Sequence, residues 1–228
     1  MNVQANTNDE RVGVLIVDDH PLVRQGLTSL INRSDDLQVI GQAPSGPEAL
    51  KLMEEREPQV AVVDLSLAGG SGIDLLKEIG KRHPSVISLV LTMHDELFYA
   101  ERALRAGARG YVMKGEETDE VLEAIREVLK GEVYVSKHLQ SVLVQRAADP
   151  GPNAPSSAVE SLSDRELEVF ELVGRGQPTR EIAKQLSVSV KTVETHRHRI
   201  KEKLGLSSGT QMVRYAIRWV ERQAGTQV

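Results

Sequence analysis

The chain contains no cysteine, and it has no apolar run approaching the roughly 18 residues that a membrane-spanning helix needs. Without cysteine, disulfide bonds, thiolate nucleophiles and cysteine-ligated metals are all excluded. The N-terminal stretch MNVQANTNDE is polar and lacks the charged and apolar regions of a secretory signal. These absences predict a cytoplasmic protein without a membrane association.

Several binding signatures are also missing from the sequence. Neither GxGxxG nor GxxxxGKS/T occurs, so the glycines of GGSG at positions 69–72 favour a turn over a phosphate-binding loop. His20, His83, His94 and His138 are scattered, with neither HExxH nor a pair at i,i+4 spacing. That pattern predicts surface or packing roles for these histidines.

The net charge of −5 conceals an asymmetry between two parts of the chain. Residues 1–160 carry 16 Lys and Arg against 25 Asp and Glu, a balance of −9, whereas residues 161–228 carry 12 against 8, a balance of +4. Only the second part therefore suits a polyanionic partner. At 147–160, AADPGPNAPSSAVE has no apolar periodicity and predicts a solvated linker.

Short apolar runs alternate with amphipathic segments in the first part of the chain. VGVLIV, LQVIGQA, VAVVD, VISLVLT and GYVM are each followed by a helical pattern, such as the face made by Leu22, Val23, Leu27, Leu30 and Ile31. Nearly continuous apolar strands indicate a parallel sheet with helices on both faces. Five such units predict an α/β flavodoxin-like doubly wound (βα)5 domain, in which ligands bind beyond the carboxyl ends of the strands.

Polar residues follow four of these strands. They are Asp18 and Asp19 after the first, Asp64 after the third, Thr92 in the fourth and Lys114 after the fifth. A polar strand end is unremarkable by itself, but five coincident positions favour a site. Crowded carboxylates need a bridging cation, and an oxygen-only ligand set suits Mg²⁺. Asp64 could then attack phosphorus, while Thr92 and Lys114 neutralise charge on the transferred group.

The motifs VDDH, VVDLSLAGGSG, LTMHDE and RAGARGYVMKG resemble the receiver domain of two-component response regulators, over residues 12–130. The resemblance implies phosphorylation of Asp64, Mg²⁺ held by Asp18, Asp19, Asp64 and the Ser66 backbone carbonyl, and a switch formed by Thr92, Tyr111 and Lys114. On phosphorylation, Tyr111 would move inward. Ala68 stands where the family usually has proline, which predicts a looser loop after Asp64.

Two other interpretations use the same aspartate. A Mg²⁺-dependent aspartyl-phosphate hydrolase of the haloacid dehalogenase type needs a second aspartate two residues after the nucleophile, where this chain has Ser66. A phosphorylation-gated protein-interaction module would use the second domain to bind protein instead of DNA. His94, two positions after Thr92, is a candidate to control water access to the phosphoryl group.

Residues 161–224 predict four short helices. Ser163 and Glu166 form a capping box for the first helix, and Thr179 can cap the second. A third spans about residues 190–204 and a fourth about residues 210–220. Helix, short turn and helix is the signature of a helix-turn-helix domain. In the third helix, Arg197 falls on the core side, and a polar row runs along the opposite face.

The run LSDRELEVFELVGRGQPTREIAKQLSVSVKTVETHRHRIKEKLGL resembles the LuxR/NarL-type helix-turn-helix. That resemblance implies DNA binding and, often, dimerisation through the last helix. The expected DNA-binding residues are Thr179, Lys184, Lys191, Thr192, Glu194, Thr195, His198, Arg199 and Lys201, although a solvated polar face is the plainer interpretation. With residues 131–160 as connecting helix and linker, the sequence predicts a non-enzymatic transcription regulator. Its predicted partners are a sensor histidine kinase, double-stranded promoter DNA and, when phosphorylated, a second copy of itself.

Overall fold

The computed structural model describes residues 11–67, 70–115, 118–148 and 157–224. The chain divides into two compact units, residues 1–148 and residues 149–228. Ala68 and the middle of the predicted linker, residues 149–156, lie outside the described residues. Within those ranges, every helix falls short of the length or hydropathy that crossing a bilayer requires.

The first unit is built on a parallel five-stranded sheet. Its strands are β1 Val12–Val17, β2 Leu37–Ala43, β3 Val60–Val63, β6 Ile87–Thr92 and β7 Ala108–Met113. Two short strands after β3, β4 Ser66–Leu67 and β5 Gly70–Ser71, form a separate antiparallel pair. The sheet order is β2-β1-β3-β6-β7. This order confirms the predicted flavodoxin-like doubly wound fold, and it puts the switch in strand order beside β1 and β3.

Helices cover the sheet because their apolar residues recur at helical spacing. Those of the first unit are α1 Pro21–Ile31, α2 Gly46–Arg56, α3 Gly72–Arg82, α4 Glu96–Arg105, α5 Thr118–Leu129 and α6 Lys137–Ala148. The main core joins the strands to Leu27 and Ile31 of α1 and to Ile125 and Val128 of α5. Helices α2, α3 and α4 contact one another in sequence order and bury Met53, among other side chains.

The segment after α5 continues the sheet at the edge of β7. Tyr134 donates its backbone N–H to the carbonyl of Arg109 and accepts from the N–H of Tyr111 (N···O 3.0 and 2.8 Å). These bonds satisfy edge groups that would otherwise be open to another strand. Residues 131–148, which the sequence placed in a connecting segment, are thus part of the first compact unit.

The predicted linker at 147–160 is shorter than expected. Residues 147 and 148 complete α6, and Ser157–Glu160 form a short helix, α7, in which Val159 is buried. The solvated linker that the sequence predicts therefore has helical residues at both ends. One apolar residue is enough to anchor α7, and it gives no periodicity from which a helix could have been predicted.

Between residues 157 and 224 the second unit contains helices and no strand, and four helices follow α7 as predicted. They are α8 Asp164–Gly174, α9 Thr179–Gln185, α10 Val190–Lys203 and α11 Gly209–Ala224. The capping box at the start of α8 is confirmed, because Ser163 and Glu166 bond each other's backbone N–H with their side-chain oxygens. Phe170 packs against Trp219 with ring centroids 5.5 Å apart, which joins α8 to α11.

Candidate functional site

The register of the central strands brings two carboxylates together. Val17 of β1 pairs with Val63 of β3, so the next residues, Asp18 and Asp64, leave adjacent strands side by side. Both are buried, with only 2% and 3% of their surface exposed. Such burial of two like charges is costly unless a cation compensates them. The structure therefore confirms that these strand ends converge, and it requires a positive group among them.

Lys114 supplies a positive charge between the two buried carboxylates. Its backbone N–H donates to the carbonyl of Thr92 (2.7 Å), which fixes the residue at the end of β7. Its Nζ lies 2.7 Å from Asp18 Oδ2 and 2.5 Å from Asp64 Oδ2. Burial lowers the pKa of Lys114, but attraction to Asp64 and hydrogen bonds to both carboxylates outweigh it and raise the pKa overall. The ammonium is therefore charged at neutral pH.

Asp19 and His20 complete the cluster on its exposed side. Burial raises the pKa of Asp19; His20 acts against that rise, and the charges of Asp18 and Asp64 add to it. Asp19 Oδ1 is buried and makes no hydrogen bond of acceptable geometry to the described residues, although His20 Nδ1 lies 2.7 Å away. One ligand atom from each of Asp18, Asp19, His20 and Asp64 lies within 4.8 Å of the others. His20 is an exposed residue, as predicted, and its imidazole lies beside the carboxylates of this cluster.

The loop after β3 is held close to Asp64. Ser66 donates its backbone N–H to Asp64 Oδ1 (3.2 Å), and Gly72 donates to the carbonyl of Leu65 (2.9 Å). A Cβ at Gly72 would collide with the backbone carbonyl of Asp64, so this position has room only for glycine. These contacts bring the Ser66 backbone to the same edge as the carboxylates.

Two of the three predicted switch side chains, those of Thr92 and Tyr111, are buried. Thr92 is fully enclosed, and the Tyr111 hydroxyl donates to the carbonyl of His94 (2.9 Å). The structure thus already has Tyr111 in the inward position that the sequence associated with phosphorylation. His94 Nε2 lies 2.9 Å from Ser66 Oγ, and the His94 ring packs on Tyr99 at 4.3 Å. A role for His94 in water access stays a prediction.

Sequence reasoning overlooked one further contributor to the site. Arg24, in the first turn of α1, donates from Nη1 to the backbone carbonyl of Asp18 (2.6 Å) and so fixes the loop that carries the aspartates. No local sequence pattern signals this bond, because its acceptor is a backbone carbonyl six residues earlier and outside the helix.

The cluster fits a hard divalent cation. Three of its four residues offer carboxylate oxygens, which are ligands that Mg²⁺ accepts together with water. Asp19 Oδ1 is buried without a hydrogen bond, and its charge is the least compensated of the three aspartates, since Lys114 contacts the other two. A cation beside Asp19 would resolve both features.

Helix α10 of the second unit separates a core face from an exposed face. Val193 and Ile200 are fully buried, and the helix contacts α8, α9 and α11. The exposed residues among those predicted to bind DNA are Lys184, Lys191, Glu194, Thr195, His198 and Arg199, while Lys201 is half-buried. The exposed charges of α10 are mixed, with Lys191, Arg199 and Lys203 against Glu194 and Glu202, and His198 Nε2 lies 3.3 Å from Glu202 Oε1.

Two predicted DNA-binding hydroxyls are engaged within the second unit. The N-cap of α9 is Pro178, so the prediction that Thr179 caps this helix is wrong. Thr179 begins the helix, and its hydroxyl accepts from Arg197 Nη1 (3.1 Å). The Thr192 hydroxyl lies 2.8 Å from Ser189 Oγ, which caps α10. Contacts from either hydroxyl to DNA would have to compete with these bonds.

Comparisons with known protein families agree with this geometry. Residues 14–126 match the profile of the response regulator receiver domain, and residues 160–216 match that of the bacterial regulatory proteins of the luxR family. The oxygen regulatory protein NreC of Staphylococcus aureus is 38% identical over 209 residues, which cover 90% of this chain and 96% of that protein.

Solved structures of response regulators match this chain over most of its length. A structure of the RcsB response regulator of Salmonella typhimurium is 26% identical, with a TM-score of 0.66, and the match covers 92% of this chain and 98% of that one. RcsB bound to promoter P1flhDC in the presence of the phosphomimetic BeF3⁻ is 27% identical with a TM-score of 0.62, over 90% of this chain and 98% of that one. The chain therefore belongs to the two-component response regulators of the NarL/FixJ type, which are DNA-binding transcription regulators and not enzymes.

Proposed function

We propose that Asp64 is the phosphoacceptor of this response regulator. A carboxylate oxygen of Asp64 attacks the phosphorus of a phosphohistidine on a sensor kinase; the P–N bond breaks, and the kinase imidazole leaves with its electron pair and takes up a proton. The observation that carries the proposal is the bridging of Asp18 and Asp64 by Lys114. It sets a nucleophile beside a cation that can stabilise the transferred group.

The proposed metal is Mg²⁺, held by Asp18, Asp19, Asp64 and the Ser66 carbonyl. When bound, it would neutralise negative charge on the carboxylates and the phosphoryl oxygens. Arg24 would keep the loop in place through its bond to the Asp18 carbonyl.

Phosphorylation would act on the rest of the first unit through Lys114, Thr92 and Tyr111. Lys114 and the Thr92 hydroxyl would donate to phosphoryl oxygens, each charge-assisted bond contributing about 1.5–3 kcal/mol. Two or three such bonds approach the roughly 5.5 kcal/mol needed to shift a two-state equilibrium from 1:99 to 99:1. The bond from Tyr111 to the His94 carbonyl would favour the conformation with the tyrosine inward.

We further propose that α10 enters the major groove of double-stranded promoter DNA in the cytoplasm. The support is its exposed polar face, which comprises the predicted residues Lys191, Glu194, Thr195, His198 and Arg199, with the cations Lys184 and Lys201 beside it. The hydroxyls of Thr179 and Thr192 would contact DNA after giving up their hydrogen bonds to Arg197 and Ser189. The phosphorylated protein would bind as a homodimer. Residues 12–130 and 161–224 would be the working domains, joined by 131–160.

Phosphoryl transfer can be tested by intact mass after incubation with a small phosphodonor and Mg²⁺. The native chain should gain one phosphoryl group, and Asp64→Asn should gain none. Asp74→Asn is the matched control, because Asp74 is an exposed carboxylate of α3 paired with Lys77 (3.2 Å). Equal incorporation into native and Asp64→Asn chains would reject Asp64 as the acceptor.

DNA binding can be tested from the salt dependence of affinity. Lys191→Ala should weaken binding and reduce the slope of log K against log salt by about one, because one phosphate contact releases roughly one counterion. Lys51→Ala is a control, since Lys51 is an exposed lysine of α2 in the other unit. An unchanged slope in Lys191→Ala would remove this lysine from the interface.

A further inference from the structure

His20 is held at the acidic edge by its backbone. It is the N-cap of α1, with φ −86° and ψ 111°, and Pro21 follows it at the first helical position. A residue before proline is restricted to extended conformations, so the direction of the Cα–Cβ bond of His20 is largely fixed. Its backbone N–H donates to Asp18 Oδ1 (2.8 Å), which adds a second constraint. The ring makes no side-chain cap bond to α1, and it is directed toward the aspartates.

The imidazole lies beside the carboxylates of the proposed metal site. His20 Nδ1 is 2.7 Å from Asp19 Oδ1 and 3.3 Å from Asp18 Oδ1, and it shares the 4.8 Å cluster with Asp64. Opposite ligands of an octahedral ion with bonds of about 2.1 Å stand about 4.2 Å apart. Contraction by a few tenths of an ångström would let all four side chains bind one ion. The His20 side chain is 64% exposed, so it has room to make that adjustment.

A nitrogen ligand changes which ions the site prefers. Carboxylates and carbonyls suit Mg²⁺, whereas imidazole suits Ni²⁺, Zn²⁺ and other first-row ions, which bind nitrogen more strongly. Coordination by the His20 imidazole in addition to the carboxylates would therefore increase the affinity for Ni²⁺ far more than the affinity for Mg²⁺.

We propose that His20, through Nδ1, is a protein ligand of this cation site and sets its selectivity toward first-row transition ions. The inference rests on the proposed Mg²⁺ site, to which it adds a ligand. The same receiver could then bind Mg²⁺ through oxygen atoms alone and a transition ion through oxygen and nitrogen together.

The test is calorimetric titration of the full chain with Ni²⁺ and, separately, with Mg²⁺. Four proteins are compared: native, His20→Ala, Asp64→Asn and His138→Ala. His138 is an exposed histidine of α6 and controls for nonspecific imidazole binding. His20→Ala should lose about ten-fold or more in Ni²⁺ affinity and change in Mg²⁺ affinity by less than about three-fold, because only Ni²⁺ depends strongly on nitrogen. His138→Ala should match native at this site.

Three results would overturn the proposal. Unchanged Ni²⁺ affinity in His20→Ala would show that the ring is not a ligand. Equal losses for both ions would show that the residue only supports the loop. A gain in Mg²⁺ affinity would show that His20 acts as a competing counter-cation. Failure of the metal site itself gives a separate signature, in which the native chain and Asp64→Asn bind Mg²⁺ equally or not at all.

Discussion

Replacing Lys114 with methionine should destabilise the first unit in the absence of divalent cations. The substitution leaves the buried carboxylates of Asp18 and Asp64 without their shared ammonium, which lies 2.7 and 2.5 Å from them. The lysine side chain is 12% exposed and each carboxylate side chain 3%, so water screens the remaining charges poorly. Removing one partner of a buried pair costs about 3–5 kcal/mol. We expect a loss of that size in the free energy of unfolding at neutral pH.

The assay must report on the first unit by itself. The only tryptophan, Trp219, lies in the second unit, so its fluorescence does not follow the receiver. Amide hydrogen exchange in peptides from β1 and β3 measures the opening free energy of the sheet directly. Mg²⁺ at a hundred times its dissociation constant should restore about 2.7 kcal/mol if it binds only the folded state.

A matched variant separates this effect from the loss of any lysine. Lys81→Met removes an exposed lysine of α3 that pairs with Glu78 at 3.2 Å, and it should change the opening free energy by less than about 1 kcal/mol. If Lys114→Met also costs less than about 1 kcal/mol, the carboxylates are not charged and buried together as described.

Three further predictions concern other contacts. Ser136→Ala removes the cap of α6 and the 2.6 Å bond to buried Glu96, and it should cost about 1–3 kcal/mol, measured by hydrogen exchange in α6. Burial raises the pKa of the Glu166 carboxyl, but bonds from Lys203 and the capping serine lower it overall. The charged carboxylate therefore stabilises the folded second unit above the ordinary glutamate pKa of about 4.3, and this contribution is lost as the pH falls through the lower pKa of the folded state. Glu166→Gln should therefore destabilise the second unit by about 1–2 kcal/mol at pH 7 and by little at pH 2, with tryptophan fluorescence in urea as the measurement; equal losses at both pH values would contradict this. Gly72→Ala should displace the phosphoacceptor loop and reduce phosphoryl incorporation, seen by intact mass, and full incorporation would show that the loop adapts.

The sequence predicted those parts of the site that depend on regular strands. Asp18, Asp64 and Lys114 converge because parallel strands carry their carboxyl ends to one edge, and apolar runs are enough to locate those ends. The capping box at Ser163 followed from an equally local pattern.

Other features depend on contacts that no local pattern encodes. His20 joins the cluster because Pro21 and the Asp18 carboxylate orient it. Neither of these two constraints forms part of a metal-binding motif that could be recognised in the sequence. Residues 131–148 belong to the first unit because Tyr134 pairs with the edge of β7, a contact more than twenty residues distant in sequence. The sequence predicted that the Thr179 hydroxyl caps α9, but this hydroxyl instead accepts a hydrogen bond from Arg197 of the next helix.

The most direct test of the account is the DNA affinity of one protein sample before and after phosphorylation. Duplexes selected from a random pool by the phosphorylated chain would be titrated by fluorescence anisotropy at fixed salt, with Asp64→Asn treated identically. The account predicts that phosphodonor and Mg²⁺ raise the affinity of the native chain by about ten-fold or more, a coupling of at least 1.4 kcal/mol, and leave that of Asp64→Asn unchanged. An equal response in both proteins, or none in the native chain once its mass shows full phosphorylation, would contradict it.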